Sequence, residues 1–248
     1  MTMSLYVYCL GDDLSGAAFE GLSGVGGARV RVLALGALAA VVSEPGEEAV
    51  AVNEENLLAH NRVNAAALAV TTPLPCRFGT RAAPARFAEY VSANASALAS
   101  ALARVRGCVE MSVKLMDKAP GSAQKRTVES EAEGLVSAAG AGTAFLLKKR
   151  REILGEEGAR RRAEEAAAWL ASGVGALARE ADARVSPPEA IFVRAAHLVE
   201  REQVADYRAQ LRALAAERRD LRLLTSGPWP PYSFSEMSGQ NRGGSGVL

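Results

Sequence analysis

Chemistry at neutral pH would have to be built from a short inventory. Only two histidines, His60 and His197, are available in 248 residues, so an imidazole acid–base pair or metal site has little to draw on. His60 lies in a helical pattern beside Asn61, with no carboxylate at metal-ligand spacing. His197 ends an apolar run near Glu200 and Glu202. Both read as solvated or hydrogen-bonded structural histidines. The three cysteines, Cys9, Cys76 and Cys108, lie far apart, form no C-x-x-C pair and sit in strand-like apolar stretches. Isolated thiols of that kind suit a reducing compartment rather than a disulfide framework. The stretch GLSGVGG (Gly21–Gly27) superficially resembles a phosphate-cradling loop, but it lacks a Walker A lysine and runs into a strand rather than a helix N-terminus. It reads as a flexible connection. Glu129, Glu131 and Glu133 stand at i, i+2 spacing and make no carboxylate pair for catalysis. No catalytic residue, cofactor site or metal site is assigned, and the chain is not read as an enzyme.

Charge names no partner either. The formal net charge is +1, which gives no field of the kind nucleic-acid binders use. The Lys148–Arg151 and Arg160–Arg162 clusters are interleaved with glutamates and lack exposed stacking aromatics, so they read as a solvated helix face. The N-terminal MTMSLYVYCLGDD has neither a basic region nor a signal-peptide core. The longest apolar run, Val32 to Val42, is interrupted by Gly36 and is shorter than the roughly 20 residues a membrane helix needs. The expected location is cytoplasmic, with no nucleic-acid or membrane partner.

Elements of both periods would position any site. A chain of 248 residues exceeds the usual domain size of roughly 100–150 residues, so two domains are expected. Leu5 to Leu10 is rich in aromatic and β-branched residues and reads as a strand. Arg29 to Leu33 and Leu38 to Val42 alternate about Gly36 as a hairpin. Asn53 is an N-cap, followed by Glu54 and Glu55 in the first turn and a stripe of Leu57, Leu58, Asn61, Ala65 and Leu68. A single long helix is expected from Pro84 to Arg106, with Phe87, Val91, Leu98, Leu102 and Val105 on one face. Val109 to Met116 is a strand, and Ala119 to Glu133 reads as a mobile loop. A long, charge-dense helix from Gly142 to Ala181 follows, with Ala163, Ala167, Leu170, Val174 and Leu177 inward and Arg161–Glu165 among its one-turn ion pairs. Strands at Ala183–Ser186 and Ala190–Val199, a helix at Glu202–Arg218 with Val204, Tyr207, Leu211 and Leu214 inward, and a strand at Leu221–Thr225 complete the pattern. The order from Val109 is β-α-β-β-α-β, the ferredoxin-like arrangement. The expected class is α+β in two domains: residues 1–106 as a mixed α+β unit and 107–237 as a modified ferredoxin-like fold. Residues 238–248 are a flexible tail.

Two segments stand out. In LPCRFGT (Leu74–Thr80), Arg77 falls between Cys76 and Phe78 and points to the face opposite theirs in strand geometry. Its guanidinium either pairs with an acid or carbonyls at the domain junction or contacts a partner. In SGPWPPYSF (Ser226–Phe234), Pro228, Pro230 and Pro231 hold the chain extended. The rings of Trp229, Tyr232 and Phe234 can each cover roughly 150–250 Å², too much apolar surface to leave in water. The segment is expected to pack onto the body or onto a partner.

Together, LPCRFGT before a long helix, the IFVRAAHLVE strand and the C-terminal LLTSGPWPPYSF resemble the GvpL/GvpF family of gas vesicle proteins. Two positions depart from the family pattern: Cys76 stands where an aliphatic residue is usual, and Arg81 follows FGT where an apolar residue is typical. The resemblance implies an accessory role in building gas vesicles, through contact with the hydrophobic shell protein GvpA and other accessory proteins, limiting GvpA aggregation during nucleation. It also implies two α+β domains, the second a modified ferredoxin fold, and a location at the gas vesicle. Arg77, Phe78, Gly79, Trp229, Pro230, Pro231, Tyr232 and Phe234 are the candidate partner-binding or structural residues. The alternatives are a small-molecule-binding enzyme or a regulatory domain on a ferredoxin-like sheet, because a fold alone does not decide function.

Overall fold

The computed structural model describes residues 4–46, 50–118, 141–187 and 189–235; within the helix beginning at Ala141, side chains are described at Lys149 and from Gly155 onward. The expected loop Ala119–Glu133, with Glu129, Glu131 and Glu133, and the tail 238–248 lie outside the described residues, as do the side chains of Lys148, Arg150 and Arg151. The chain is mixed α+β and divides into two compact units. One comprises the described residues of Met1–Met111, Leu198–Arg201 and Gly227–Leu248, and the other those of Ser112–His197 and Glu202–Ser226.

The first unit is organised by a strand buried along its whole length. β1 (Leu5–Gly11) is buried at all seven residues, as its run of aromatic and aliphatic side chains requires when both faces are covered. It pairs antiparallel with β3 (Leu38–Ser43), β4 (Leu74–Pro75) and β5 (Arg81–Ala82), and β2 (Arg31–Leu35) closes the far edge. The β2–β3 register, Leu35 opposite Leu38, confirms the hairpin about Gly36. The β1–β3 register slips at Tyr8, a bulge.

α1 (Glu54–Val70) is capped as its sequence dictates: the Asn53 side chain accepts from the Asn56 amide at 2.9 Å. Its buried face differs from the expected stripe. Ala59, His60, Val63, Asn64, Ala67 and Leu68 turn inward, whereas Leu57 and Leu58 are 39% and 51% exposed. The reason lies on the sheet. Tyr6 presents its hydroxyl to α1, so polar side chains find partners there and can be buried. The expected helix Pro84–Arg106 is two helices, α2 (Pro84–Ala93) and α3 (Ala95–Val105). Asn94 divides them: its φ of −109° and ψ of 14° leave the helical range, and its side-chain amide and backbone N–H both donate to the Tyr90 carbonyl, at 2.8 and 3.0 Å, closing α2. All five expected inward residues, Phe87 through Val105, are buried.

From residue 108 the order is β6 (Cys108–Asp117), α4 (Ala141–Val174), β7 (Glu180–Val185), β8 (Ile191–Glu200), α5 (Val204–Glu217) and β9 (Leu221–Trp229), with strands in the spatial order β7-β8-β6-β9. In the second unit, Leu170 and Val174 of α4 and Tyr207, Leu211 and Leu214 of α5 are buried. The helices approach closely at Gly173, where a Cβ would lie 2.6 Å from the Leu214 side chain. His197 is buried and bonds through Nδ1 to the Tyr207 hydroxyl at 2.6 Å, so it is structural. The Arg161–Glu165 pair forms at 4.0 Å on an exposed face, where such pairs contribute little.

Candidate partner-binding groove

From Gly227 onward the Ser226–Phe234 segment is built into the first unit by specific bonds. β9 extends to Trp229, beyond the expected end at Thr225. The Gly227–Pro228 peptide is cis, and Gly227 has φ +118°. A Cβ at Gly227 would lie 2.7 Å from the Glu110 carbonyl oxygen, so only glycine fits both the backbone conformation and the space. Pro230 and Pro231 are buried, and a short turn at Tyr232–Phe234 follows. Ser233 donates its amide to Glu110 Oε2 at 2.7 Å and its hydroxyl to Glu110 Oε1 at 3.1 Å. Arg104 donates to the Phe234 carbonyl. Phe234 is buried, but Trp229 is 46% exposed. The segment thus packs onto the body through Phe234, as one of the two expected arrangements requires, while much of the Trp229 ring meets solvent.

LPCRFGT and SGPWPPYSF meet at one histidine. His60 Nδ1 lies 3.0 Å from the Tyr6 hydroxyl, and Nε2 lies 3.2 Å from the Tyr232 hydroxyl and 3.1 Å from Asn64 Nδ2. With both Tyr232 and Asn64 donating to Nε2, the network places the ring proton on Nδ1, facing the Tyr6 hydroxyl and the Cys76 carbonyl. Phe78 packs edge-on against His60 and Tyr6, with ring centroids 5.6 and 6.1 Å apart. The Gly79 amide donates to the Tyr6 hydroxyl at 3.0 Å. Burial lowers the His60 pKa to about 4, against the smaller opposing effect of the Cys76 carbonyl. It raises Tyr6 to about 12 and raises Tyr232 as well. Such a ring stays neutral and holds structure. Half-buried Phe78 thus packs against the interior arrangement and the Gly79 amide bonds to it, while Arg77 and the Gly79 backbone are exposed.

Beside this network runs a groove of about 290 Å³. Asn61, Ala65, Leu68 and Ala69 of α1 form one wall, and Pro228, Trp229, Pro230 and Tyr232 form the other. Val109 and Arg201 complete it. Its surface is mostly apolar, with one guanidinium. A wider opening of about 1260 Å³ lies along β2, lined by Phe19, Leu22, Arg29, Arg31 and Glu44 among others. There Arg31 and Glu44 satisfy each other at 2.6 Å, and among the described residues no set of acid, base and nucleophile converges. Among the described residues no group of three or more His, Cys, Asp or Glu is placed to hold a metal ion, and no helix is long and apolar enough to cross a membrane.

The profile of the gas vesicle synthesis protein GvpL/GvpF family matches residues 4–236. The chain belongs to the GvpL/GvpF family. This GvpL/GvpF member is 29% identical over 250 residues to gas vesicle protein L of Streptomyces sp. (strain CB03234), across 93% of this chain and 92% of that protein. It is 28% identical to gas vesicle protein L2 of Halobacterium salinarum, across 93% of this chain and 90% of that one. In fold it is similar to crystal structures of GvpF from Anabaena sp. PCC7120 (TM-score 0.77, 19% identity, 95% of this chain and 99% of that one) and from Microcystis aeruginosa (TM-score 0.74, 18% identity, 95% and 100%). Both marker segments of this GvpL/GvpF member, LPCRFGT and SGPWPPYSF, fall within the matched range.

Glu110, Arg104 and Arg201 were not singled out from the sequence of this GvpL/GvpF member, whereas His60 was read there as a structural histidine and is hydrogen-bonded in the interior. One signal was present: Glu110 interrupts an apolar strand, and a buried acid in such a run needs a dedicated partner. Arg201 and Arg104 carry no comparable mark.

Proposed function

We propose that this chain acts in gas vesicle assembly by binding the hydrophobic shell protein GvpA at the groove between α1 and the Pro228–Tyr232 wall, so limiting GvpA aggregation during nucleation. Family membership supports the assembly role. The observation that carries the choice of surface is Trp229, a large ring left 46% exposed at the rim of an apolar groove although Pro230 and Pro231 just after it are buried. Half-exposed tryptophans beside apolar pockets are typical interface anchors, because they bring a large desolvation gain at low entropic cost. Leu57 and Leu58 add exposed apolar surface on α1. The described side chains offer positioned apolar surface rather than convergent reactive groups, which favours binding over catalysis.

The test is co-expression with GvpA. The full chain should raise the soluble fraction of GvpA and co-purify with it, and W229A should lose both effects. Unchanged GvpA solubility with no co-purification would remove this function.

A further inference from the structure

Among the described residues Arg201 is the one charged side chain in the groove wall, and its position is built. Its Nη2 donates to the Thr71 carbonyl at 2.7 Å and to the Thr72 hydroxyl at 3.3 Å. Thr72 in turn donates to the Cys108 carbonyl at 3.0 Å, and the Arg201 amide donates to the Gly107 carbonyl at 3.0 Å. Thr71 is the C-cap of α1, so the guanidinium sits where a helix terminus favours a cation. These partners are neutral. Among the described residues Arg201 forms no ion pair, and burial depresses it below the ordinary arginine value. A guanidinium carries five N–H donors in a planar fork matched to a carboxylate, and the two bonds to Thr71 and Thr72 both use Nη2. The groove therefore joins an apolar floor, an exposed indole and a partly desolvated cation with donors to spare.

We infer that the groove binds a protein segment that sets an apolar side chain against Trp229 and Leu68 and places an Asp or Glu carboxylate on Arg201. The charge complementarity decides the occupant. A purely apolar segment would leave the guanidinium further desolvated without a counter-charge, which is costly, whereas an acid–apolar pair fits both parts of the wall. The inference rests on the proposed GvpA docking and specifies which chemistry of the partner is read. It gives the groove selectivity, since other apolar segments lacking the acid would be rejected by the unpaired cation.

The test uses the full chain and GvpA in a capture assay, with native GvpA and GvpA whose carboxyls have been blocked by carbodiimide coupling to glycinamide. The variants are W229A, R201Q, A69E and A69Q. Ala69 is exposed on the groove wall, so A69E offers Arg201 a carboxylate from the chain itself and leaves the Thr71 and Thr72 bonds untouched. It guards against a folding defect in R201Q, and A69Q controls for size. Wild type should capture native GvpA at least tenfold better than blocked GvpA. A69E should lose about tenfold while A69Q stays within twofold, and R201Q should bind native and blocked GvpA equally. Loss with W229A alone, with A69E and blocked GvpA behaving as wild type, overturns the carboxylate inference and leaves groove docking in place. Full capture by W229A and A69E together overturns both.

Discussion

Tyr232 and His60 stand 172 positions apart in sequence, yet the tyrosine hydroxyl lies 3.2 Å from the imidazole Nε2. That bond joins the C-terminal proline segment to the helix forming the opposite wall of the groove. Two features then decide how the protein responds to change: how firmly the segment is tied down, and which of its rings remains outside.

The first prediction separates the aromatic residues. Phe234 is 4% exposed and Trp229 is 46% exposed. F234A should lower unfolding free energy by about 3–5 kcal/mol, the usual cost of emptying a buried aromatic site. W229A should cost about 1 kcal/mol or less, as for surface positions. Urea unfolding of the isolated chain measures both, and equal losses would contradict the placement of Trp229.

The second concerns the carboxylate beneath the segment. E110A removes the acceptor for both the Ser233 amide and its hydroxyl; Ser233 is exposed, so water replaces part of the lost bonding and the cost is about 1 kcal/mol. The freed segment should also expose its indole more. Acrylamide quenching, measured in a W169F background so that Trp229 reports alone, should rise in E110A.

Gly227 supplies the third. G227A must place its methyl 2.7 Å from the Glu110 carbonyl oxygen at a φ of +118°. A loss of several kcal/mol is expected, on the order of the strain and overpacking costs combined. Thermal melting would show it as a drop of more than about 5 °C, and a variant as stable as wild type would contradict the close approach.

The fourth is a pH dependence. Burial lowers both His60 and His197 to about 4, below the unfolded value of about 6.5. The unfolded chain therefore takes up protons first on acidification. The stability conferred by holding both rings neutral is fully present above about pH 6.5 and is lost as pH falls towards 4, on the order of 3 kcal/mol per ring. Melting temperatures taken between pH 7 and pH 4 should fall steadily. The fall should be about half as steep in H197Q, scored as the slope rather than the absolute value.

Much of this arrangement is written in local pattern. Strand alternation about Gly36, the Asn53 cap and the Phe87–Val105 stripe follow from side-chain period and capping chemistry, and all appear in the fold. The two marker segments were visible because proline and aromatic density have few other uses. What was not legible depended on partners distant in sequence. The α1 stripe was misread because Leu57 and Leu58 look like core while His60 and Asn64 do not. Burial of the polar pair becomes favourable only through partners periodicity does not show: the Tyr6 and Tyr232 hydroxyls and the Cys76 carbonyl for His60, and His60 itself for Asn64. Asn94 is a local exception: it closes α2 with two bonds to the Tyr90 carbonyl, a cap that apolar periodicity does not register. The exposure of Trp229 could not be read from its neighbours, since Pro228 before it is exposed, Pro230 after it is buried and Phe234 only five residues on is in the core.

The central claim is that the groove beside Trp229 is where this protein meets the gas vesicle shell protein. Replacing Trp229 with a photo-cross-linking phenylalanine analogue, in the full chain co-expressed with GvpA, tests it most directly. A matched substitution at Arg86, exposed on α2 and outside the groove, serves as the reference. The account predicts a GvpA adduct from position 229 and none from position 86. Equal adducts from both positions, or an adduct from 86 alone, would contradict it.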